Sequence, residues 1–437
     1  MAESKIPSRF PATPNDTATA LARALGQHME LGCRLAFAGR LDADVLRRAV
    51  RLTLDAEPVL GCAFASTATK AWWAPLSDLD AALPFSVAET TDAELDARRF
   101  QTLPIDDAGP QVAVRLLCAP EHDEVSVRLS HVAADGKSTK QYAYLLADTY
   151  SRLVADPAYE PAPNLTPRPS SADVWSGLSV EQRRAAKRSP KMTMPNWLVP
   201  RRAETGRGRT FEELVLDAET YGALKRYGAS HDATLNDLLL TAFFRALAVT
   251  YQPPGGKAMS LPFSAEHRRY LPRQDGLPIS NLAITLWLGL AWVSGESFEN
   301  TLERACEQTR AWRSALWGVK DAVQATKLMA LGPAIAGRVM RMTAKLGSSG
   351  KEGGRARTSP VFTNIGVLDE ARLAFDTSVP TAARLSGPAA FGASFVPTIS
   401  TYRDAVTVSM GFCAEDMDPD VIGGLLSAMG AELHVLA

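Results

Sequence analysis

The chain has 437 residues, past the size at which one hydrophobic core usually stops growing, so two globular lobes are expected. Hydrophobic residues make up 46% and charged residues 22%, which excludes a disordered or fibrous chain. The formal net charge of −1 gives no global field for nucleic acid or an anionic membrane, so any basic patch must be local.

The five cysteines (Cys33, Cys62, Cys118, Cys306 and Cys413) are scattered, without CxxC or zinc-ligand spacing. They read as reduced thiols of a cytoplasmic protein. Residues 1–10 carry no apolar signal-peptide core, and the apolar stretches around Leu282–Val293 and Leu433–Ala437 are too short to span a bilayer. No metal site, no nucleic-acid partner and no transmembrane segment is expected.

Leu41–Leu54 reads as a helix capped by Asp42 or Asp44, with Leu46, Ala49, Val50 and Leu54 on one face and Pro58 stopping it. Gln111–His131 reads as a β-hairpin. Val112, Val114 and Leu116 alternate in its first strand, Pro120–Asp123 turns, and Val125, Val127, Leu129 and His131 alternate in its second. A helix follows from about Ser138, with Tyr142, Leu145, Leu146, Thr149 and Leu153 on its less polar face. From Pro157 the chain turns rich in proline, then basic (Arg183, Arg184, Lys187, Arg188, Lys191, Arg201, Arg202, Arg207, Arg209). It reads as a connection crossing the surface with a solvated charged face. Thr234-x-x-Asp237 starts a strong helical stripe of Leu235, Leu238, Leu239, Ala242, Phe243, Ala246 and Leu247. Strands follow at Met259–Phe263 and Leu282–Leu288, a helix at Phe298–Leu316, then a strand at Ala405–Phe412 and a helix at Pro419–Val435. The two halves share this layout, which points to a pseudo-twofold pair of α/β lobes: residues 1–165 and 211–437, with 166–210 as the linker.

The chemistry concentrates in Ser130-His131-Val132-Ala133-Ala134-Asp135-Gly136-Lys137-Ser138. His131 ends an apolar-alternating strand just before a turn and a helix, where sites are commonly built. Period two puts it on the inward face of Leu129 and Val127, with Ser130 pointing the other way. An imidazole there can take a proton near neutral pH. Gly136 permits a tight turn and close backbone approach. Asp135 can fix the local backbone through an ion pair. A lone histidine at a strand end is also a common structural feature, so position alone leaves both readings open.

The octapeptide HVAADGKS resembles the HxxxDGxS signature of the chloramphenicol-acetyltransferase-like superfamily. That group includes nonribosomal condensation domains, polyketide-associated acyltransferases, alcohol acetyltransferases and plant acyl-CoA-dependent acyltransferases. Other segments extend the resemblance in order along the chain. Leu41–Phe64 is similar to an early helix and its "hPxLr" turn, matched by Glu57-Pro58-Val59-Leu60. Leu103–Leu117 is similar to the approach to the hairpin, Ala233–Leu247 to the first helix of the second lobe, Ser260–Pro272 to a strand ending "R.yLp", and Ser359–Asp369 to an "SN.G" segment.

The resemblance implies a V-shaped pseudo-dimer of mixed or antiparallel sheets backed by helices, with a tunnel between the lobes. It implies that His131 is the general base, deprotonating a hydroxyl or amine that attacks a thioester carbonyl. The tetrahedral oxyanion needs hydrogen-bond donors, for which the Gly136 N–H is a candidate. Asp135 would be structural, its partner Arg268, or Arg269 if the alignment slips by one. Ser138, Thr363 and Asn364 are weaker substrate-binding candidates. The donor would be acyl-CoA or the phosphopantetheine of an acyl or peptidyl carrier protein, acting as co-substrate with no bound cofactor. The acceptor would be a small molecule of secondary metabolism, and a monomer would hold the whole tunnel. Two departures stand out: Ser130 replaces the first of the paired histidines of many condensation domains, and the plant DFGWG motif is absent, with Thr363-Asn364-Ile365-Gly366 in roughly that part of the chain. A stand-alone acyltransferase is the leading expectation. Carrier-dependent condensation, a non-catalytic binding member and another reaction in the same tunnel are the alternatives.

Arg338, Arg341, Lys345, Lys351, Arg355 and Arg357 bracket a Gly/Ser-rich stretch, Gly347–Gly354, which reads as a solvated loop. His267 reads as structural, and His28, His122, His231 and His434 lack metal spacing. The near pairs Trp72/Trp73, Trp287/Trp292 and Trp312/Trp317 are core residues first and candidate pocket linings second.

Overall fold

The computed structural model describes residues 6–27, 29–191, 198–201, 208–348, 356–389 and 395–437. In its first half, the elements that shape the site are α1 (Pro14–Ala24), β1 (Glu30–Phe37), α2 (Ala43–Ala56), β2 (Phe85–Glu89), α3 (Ala93–Gln101), β3 (Val112–Cys118), β4 (Asp123–Ser130) and α4 (Gly136–Ala155). Asp42 caps α2, its side chain accepting from the N–H groups of Asp44 and Val45. Leu46, Ala49, Val50 and Leu54 are buried as their spacing predicts. The hairpin and the helix after it stand where the alternation placed them, though α4 starts two residues early, at Gly136, because Asp135 caps it.

The second half contributes β5 (Arg209–Leu216), α5 (Leu235–Tyr251), β6 (Ala258–Glu266), β7 (Ala283–Ala291), α6 (Phe298–Ser314), α7 (Val319–Met329), α8 (Pro333–Ser348), β8 (Thr363–Val367), β9 (Ala382–Ser386), β10 (Val396–Tyr402), β11 (Ala405–Cys413) and α9 (Pro419–His434). Thr234 and Asp237 form the capping box of α5, whose Leu238, Leu239, Ala242, Phe243 and Ala246 are fully buried in the second core.

Two mixed sheets result. The first has the order β9-β1-β4-β3-β2, antiparallel except for the β2–β3 pair. Its edge strand β9 comes from far along the chain. The second has the order β8-β10-β11-β5, and the β6–β7 ribbon joins it where Phe362 exchanges hydrogen bonds with Pro262 and Ser264. Helices back both sheets, each over its own core.

Two expectations need amendment. Strand β4 is buried along its whole length, so Ser130 on the outward side is not solvated. Helices α2 and α4 cover one face, and the other carries Arg128 against the Phe100 ring of α3 at 4.2 Å. The described parts of 157–210 also hold more regular structure than a crossing linker. They hold two short helices with capping boxes, Ser171–Gly177 and Val180–Ala186, and a strand, Val199–Arg201. Arg183 is not a free surface charge but donates to the carbonyls of Trp175 and Ser176. Arg202, Arg207, His28, Lys351 and Arg355 lie outside the described residues, as does most of the Gly/Ser-rich stretch. Among the described residues, no single helix is long and apolar enough to cross a membrane.

Candidate active site

His131 sits in the turn between β4 and α4, with its N–H on the Met29 carbonyl at 2.6 Å. Its Nδ1 lies 2.7 Å from the Ala134 carbonyl oxygen. A carbonyl can only accept, so this shorter contact puts the proton on Nδ1 and the lone pair on Nε2; Asn281 Nδ2, also 3.2 Å from Nδ1, spends its two N–H groups on the His131 carbonyl and Thr19 instead. No described residue bonds Nε2, and His131 lines a cavity of about 1120 Å³. Burial lowers the imidazole below its ordinary 6.5, outweighing the opposing pull of the Asp135 charge and the Ala134 bond. The residue is therefore a neutral base at pH 7.

Asp135 holds the turn in place and is 1% exposed. One carboxylate oxygen accepts the Ser138 N–H at 2.9 Å and caps α4. The other accepts the Leu282 N–H at 2.8 Å and Arg268 Nη1 at 2.7 Å. Burial works against the charge, but the Arg268 guanidinium and these N–H donors hold the carboxyl below its usual range. Arg268, rather than Arg269, is thus the partner. It also donates to the Ser138 hydroxyl at 2.8 Å and the Ser280 carbonyl at 2.6 Å. Arg269 lines the cavity instead. The 131–138 turn is thereby clamped from the second half of the chain, through β6 and the approach to β7.

The candidate residues separate into two groups. His131, Asp135, Gly136, Thr363 and Asn364 all line the cavity. Ser138 does not: it is fully buried, and its hydroxyl donates to the Ser280 carbonyl at 2.8 Å and accepts from Arg268. It braces the turn because the third residue of α4 faces the clamp. Gly136 meets β8 so closely that a Cβ would lie 2.8 Å from Ile365 Cγ1. Thr363 Oγ1 bonds Ser264 Oγ, and Asn364 Nδ2 donates to Asn236 at 3.2 Å.

Several contributors were missed from sequence. Asn281, 4% exposed, donates from Nδ2 to the His131 carbonyl at 2.9 Å and to Thr19 at 3.2 Å. Asn15 of α1 braces it, donating to the Asn281 carbonyl at 3.0 Å. Arg168 donates to the Ala133 carbonyl at 2.6 Å and the Ile279 carbonyl at 3.0 Å, and is ion-paired with the buried Asp16. The polar pair Ser280-Asn281, interrupting apolar residues at the mouth of a strand, was the available signal.

Lys137 stands 3.4 Å from Glu266. Lys140 donates to the carbonyls of Ile365 at 3.2 Å and Val367 at 2.9 Å. With Arg269 and Arg313 these lysines make the cavity wall cationic, while Phe263, Trp287 and Trp317 supply apolar surface. No cysteine lines it, and burial pushes the Cys33 and Cys62 thiols up to about 12. Among the described residues, no three His, Cys, Asp or Glu side chains gather closely enough to hold a metal ion.

No known protein family and no curated protein sequence matches this chain. Solved structures match it nearly end to end. The first condensation domain of the CDA synthetase aligns over 99% of this chain and 96% of its own, at 17% identity and a TM-score of 0.69. The trichothecene 15-O-acetyltransferase from Fusarium sporotrichioides aligns over 98% and 95%, at 11% identity and a TM-score of 0.72. A variant of the starter condensation domain of rhizomide synthetase, in complex with C8-CoA, aligns over 98% and 95%, at 15% identity and a TM-score of 0.65. The chain has the fold of the condensation-domain and chloramphenicol-acetyltransferase-like group that HVAADGKS resembles.

Proposed function

We propose that this protein is an acyltransferase that moves an acyl group from a CoA thioester to a hydroxyl or amine of a small-molecule acceptor, with His131 as general base. The observation that carries the reading is the bond from His131 Nδ1 to the Ala134 carbonyl, which leaves Nε2 as the basic nitrogen on the cavity. Condensation domains and an acetyltransferase share the fold, and one neighbour holds C8-CoA. The cationic wall formed by Lys137, Lys140 and Arg269 suits the phosphates of a CoA donor.

In this mechanism Nε2 takes the acceptor's proton as its oxygen or nitrogen bonds to the thioester carbonyl carbon. The carbonyl oxygen becomes an oxyanion, and the Gly136 N–H, in the first turn of α4 and without an intrahelical partner, is a donor for it. When the C–S bond breaks, the imidazolium returns its proton to the leaving thiolate, so the enzyme ends as it began. Asp135 and Arg268 take no part in proton transfer; they hold the turn.

The test is release of free thiol from a panel of acyl-CoAs with an acceptor mixture, beside His131→Ala. Acceptor-dependent release should fall by about 10²–10⁴-fold in the variant, the usual range for a lost general base. Equal release from both proteins would end the proposal. Release from an acyl-carrier protein but from no acyl-CoA would replace the CoA donor with a carrier-bound one.

A further inference from the structure

Between α6 and α7 the backbone takes an unusual path. Leu316, Trp317 and Gly318 have φ of 52°, 50° and 71° in succession. Only glycine adopts that region without steric cost, and two bulky residues sharing it persist only where their surroundings over-determine them. Such strain gathers at ligand clamps and active sites.

The surroundings are specific. The fully buried His267 donates from Nε2 to the Trp317 carbonyl at 2.8 Å. The Phe263 ring meets the Trp317 indole edge-on, with centroids 6.2 Å apart. Gly318 fits because a Cβ there would lie 2.6 Å from Leu286 Cδ2. A continued helix would carry residue 317 elsewhere; the left-handed turn places its indole on the cavity wall beside Phe263 and Trp287.

One cation accompanies this aromatic wall. The Arg313 guanidinium lies 5.8 Å from the Trp317 ring centroid and lines the same cavity. No carboxylate pairs with it among the described residues, whereas Lys137 on the same cavity faces Glu266 at 3.4 Å. A guanidinium at that distance from an indole keeps its N–H groups in the spacing that a carboxylate takes up.

We propose that Arg313, Trp317, Phe263 and Trp287 form a subsite for a planar apolar group that bears a carboxylate, at the non-reacting end of one of the two substrates. This rests on the acyl-transfer reading only in calling the ligand a substrate. The flat group lies against the indoles and displaces water from them, while its carboxylate takes the open edge of Arg313. A neutral analogue leaves the cation without its partner, so the subsite selects for charge as well as shape.

The experiment titrates the full chain with 2-naphthoate and with neutral 2-naphthamide by ligand-observed NMR, using wild type, Arg313→Gln, Trp317→Leu, Arg269→Gln and His131→Ala. Wild type should bind the carboxylate at least about tenfold more tightly than the amide, the size of one charge-assisted hydrogen bond. Arg313→Gln, a change at an exposed side chain, should abolish that preference, and Trp317→Leu should weaken both ligands. Arg269→Gln and His131→Ala should keep the preference. A preference that survives in Arg313→Gln, one lost equally in Arg269→Gln, or no saturable binding of either ligand overturns the proposal. In the transfer assay, 2-naphthoate competing with the donor puts the subsite on the acyl side, competing with the acceptor puts it on the other, and competing with neither overturns it. A preference without any acyl transfer would sink the enzymatic reading and leave the subsite standing; transfer without the preference would do the reverse.

Discussion

Burial drives the His131 imidazole below 6.5, so the form with a free Nε2 lone pair dominates at neutral pH. A base is active when unprotonated, and activity is lost as pH falls through its folded pKa. The acid limb of kcat/KM should therefore lie below pH 6.5 and vanish from the residual activity of His131→Ala; a limb above 6.5 would assign the base elsewhere. Gly136 offers a second residue-level test. In Gly136→Ala the added methyl would sit 2.8 Å from Ile365 Cγ1, on the cavity wall. Overpacking of that kind costs about 1–3 kcal/mol. Thiol release should drop tenfold or more, roughly what a barrier raised by about 1.4 kcal/mol produces, and a second change, Ile365→Ala, which removes Cγ1 and Cδ1, should recover part of it. No recovery in the double variant would mean that the Gly136 backbone itself, not the crowding, was disturbed.

At the scale of elements, the clamp between α4 and the second half centres on a buried ion pair, Asp135–Arg268, with side chains 1% and 3% exposed. Removing one partner of such a pair strands the other charge, at about 3–5 kcal/mol. Arg268→Ala should lose stability of that order in urea denaturation. Because Asp135 titrates below its ordinary 3.8, the contribution is present above that value and is lost as pH falls through the lower folded pKa. A loss under about 1 kcal/mol would show that the neighbouring N–H groups carry the carboxylate unaided.

This is also the scale at which the sequence was most legible. The helix at Ala43–Ala56, the β3–β4 hairpin and the capped α5 were readable because burial on one face imposes a period of 3.6 or 2. Asp135 was located by its place in the turn after His131 and by the HxxxDG resemblance, whereas its capping of α4 is seen only in the structure. Asn281, Arg168 and Asn15 were not legible. Arg168 and Asn281 reach the turn from 35 and 150 residues away, and Asn15 meets Asn281 across 266, through contacts that no periodicity encodes. The left-handed turn at Leu316–Gly318 was hidden for a related reason: the helical pattern ran on to Leu316, and the His267 bond that holds the Trp317 carbonyl comes from 50 residues away.

Across the whole molecule, Glu57 joins the two halves. It accepts the Ile279 N–H at 3.0 Å and Asn164 Nδ2 at 3.0 Å while only 6% exposed. Burial raises its pKa from 4.5 to about 7, against the pull of those donors and of Arg168. A raised carboxyl favours the folded state while protonated. Its contribution is complete below 4.5 and is lost as pH rises through about 7. The Tm of wild type relative to Glu57→Gln should therefore decline between pH 5 and pH 8; a constant difference would show that the group stays charged throughout. The charge network at the other joint is larger. Arg34 of β1 bonds Glu124 at 2.6 Å and Glu94 at 2.8 Å, and Arg384 of β9 bonds Glu213 of β5 at 2.6 Å, so both sheets share one set of charges.

Strand β9 gives that joint a consequence in time. It pairs with β1 across five residues, yet it leaves the ribosome roughly 250 residues after β4 has completed the rest of the sheet. At about 5–20 residues per second, β1 waits roughly 10–50 s as an open edge, its N–H and C=O groups unpaired in the crowded surroundings of synthesis. During that interval the nascent first sheet is a template for any other strand, and a chaperone that occupies the edge until residue 386 emerges would govern how much of the protein reaches its native form.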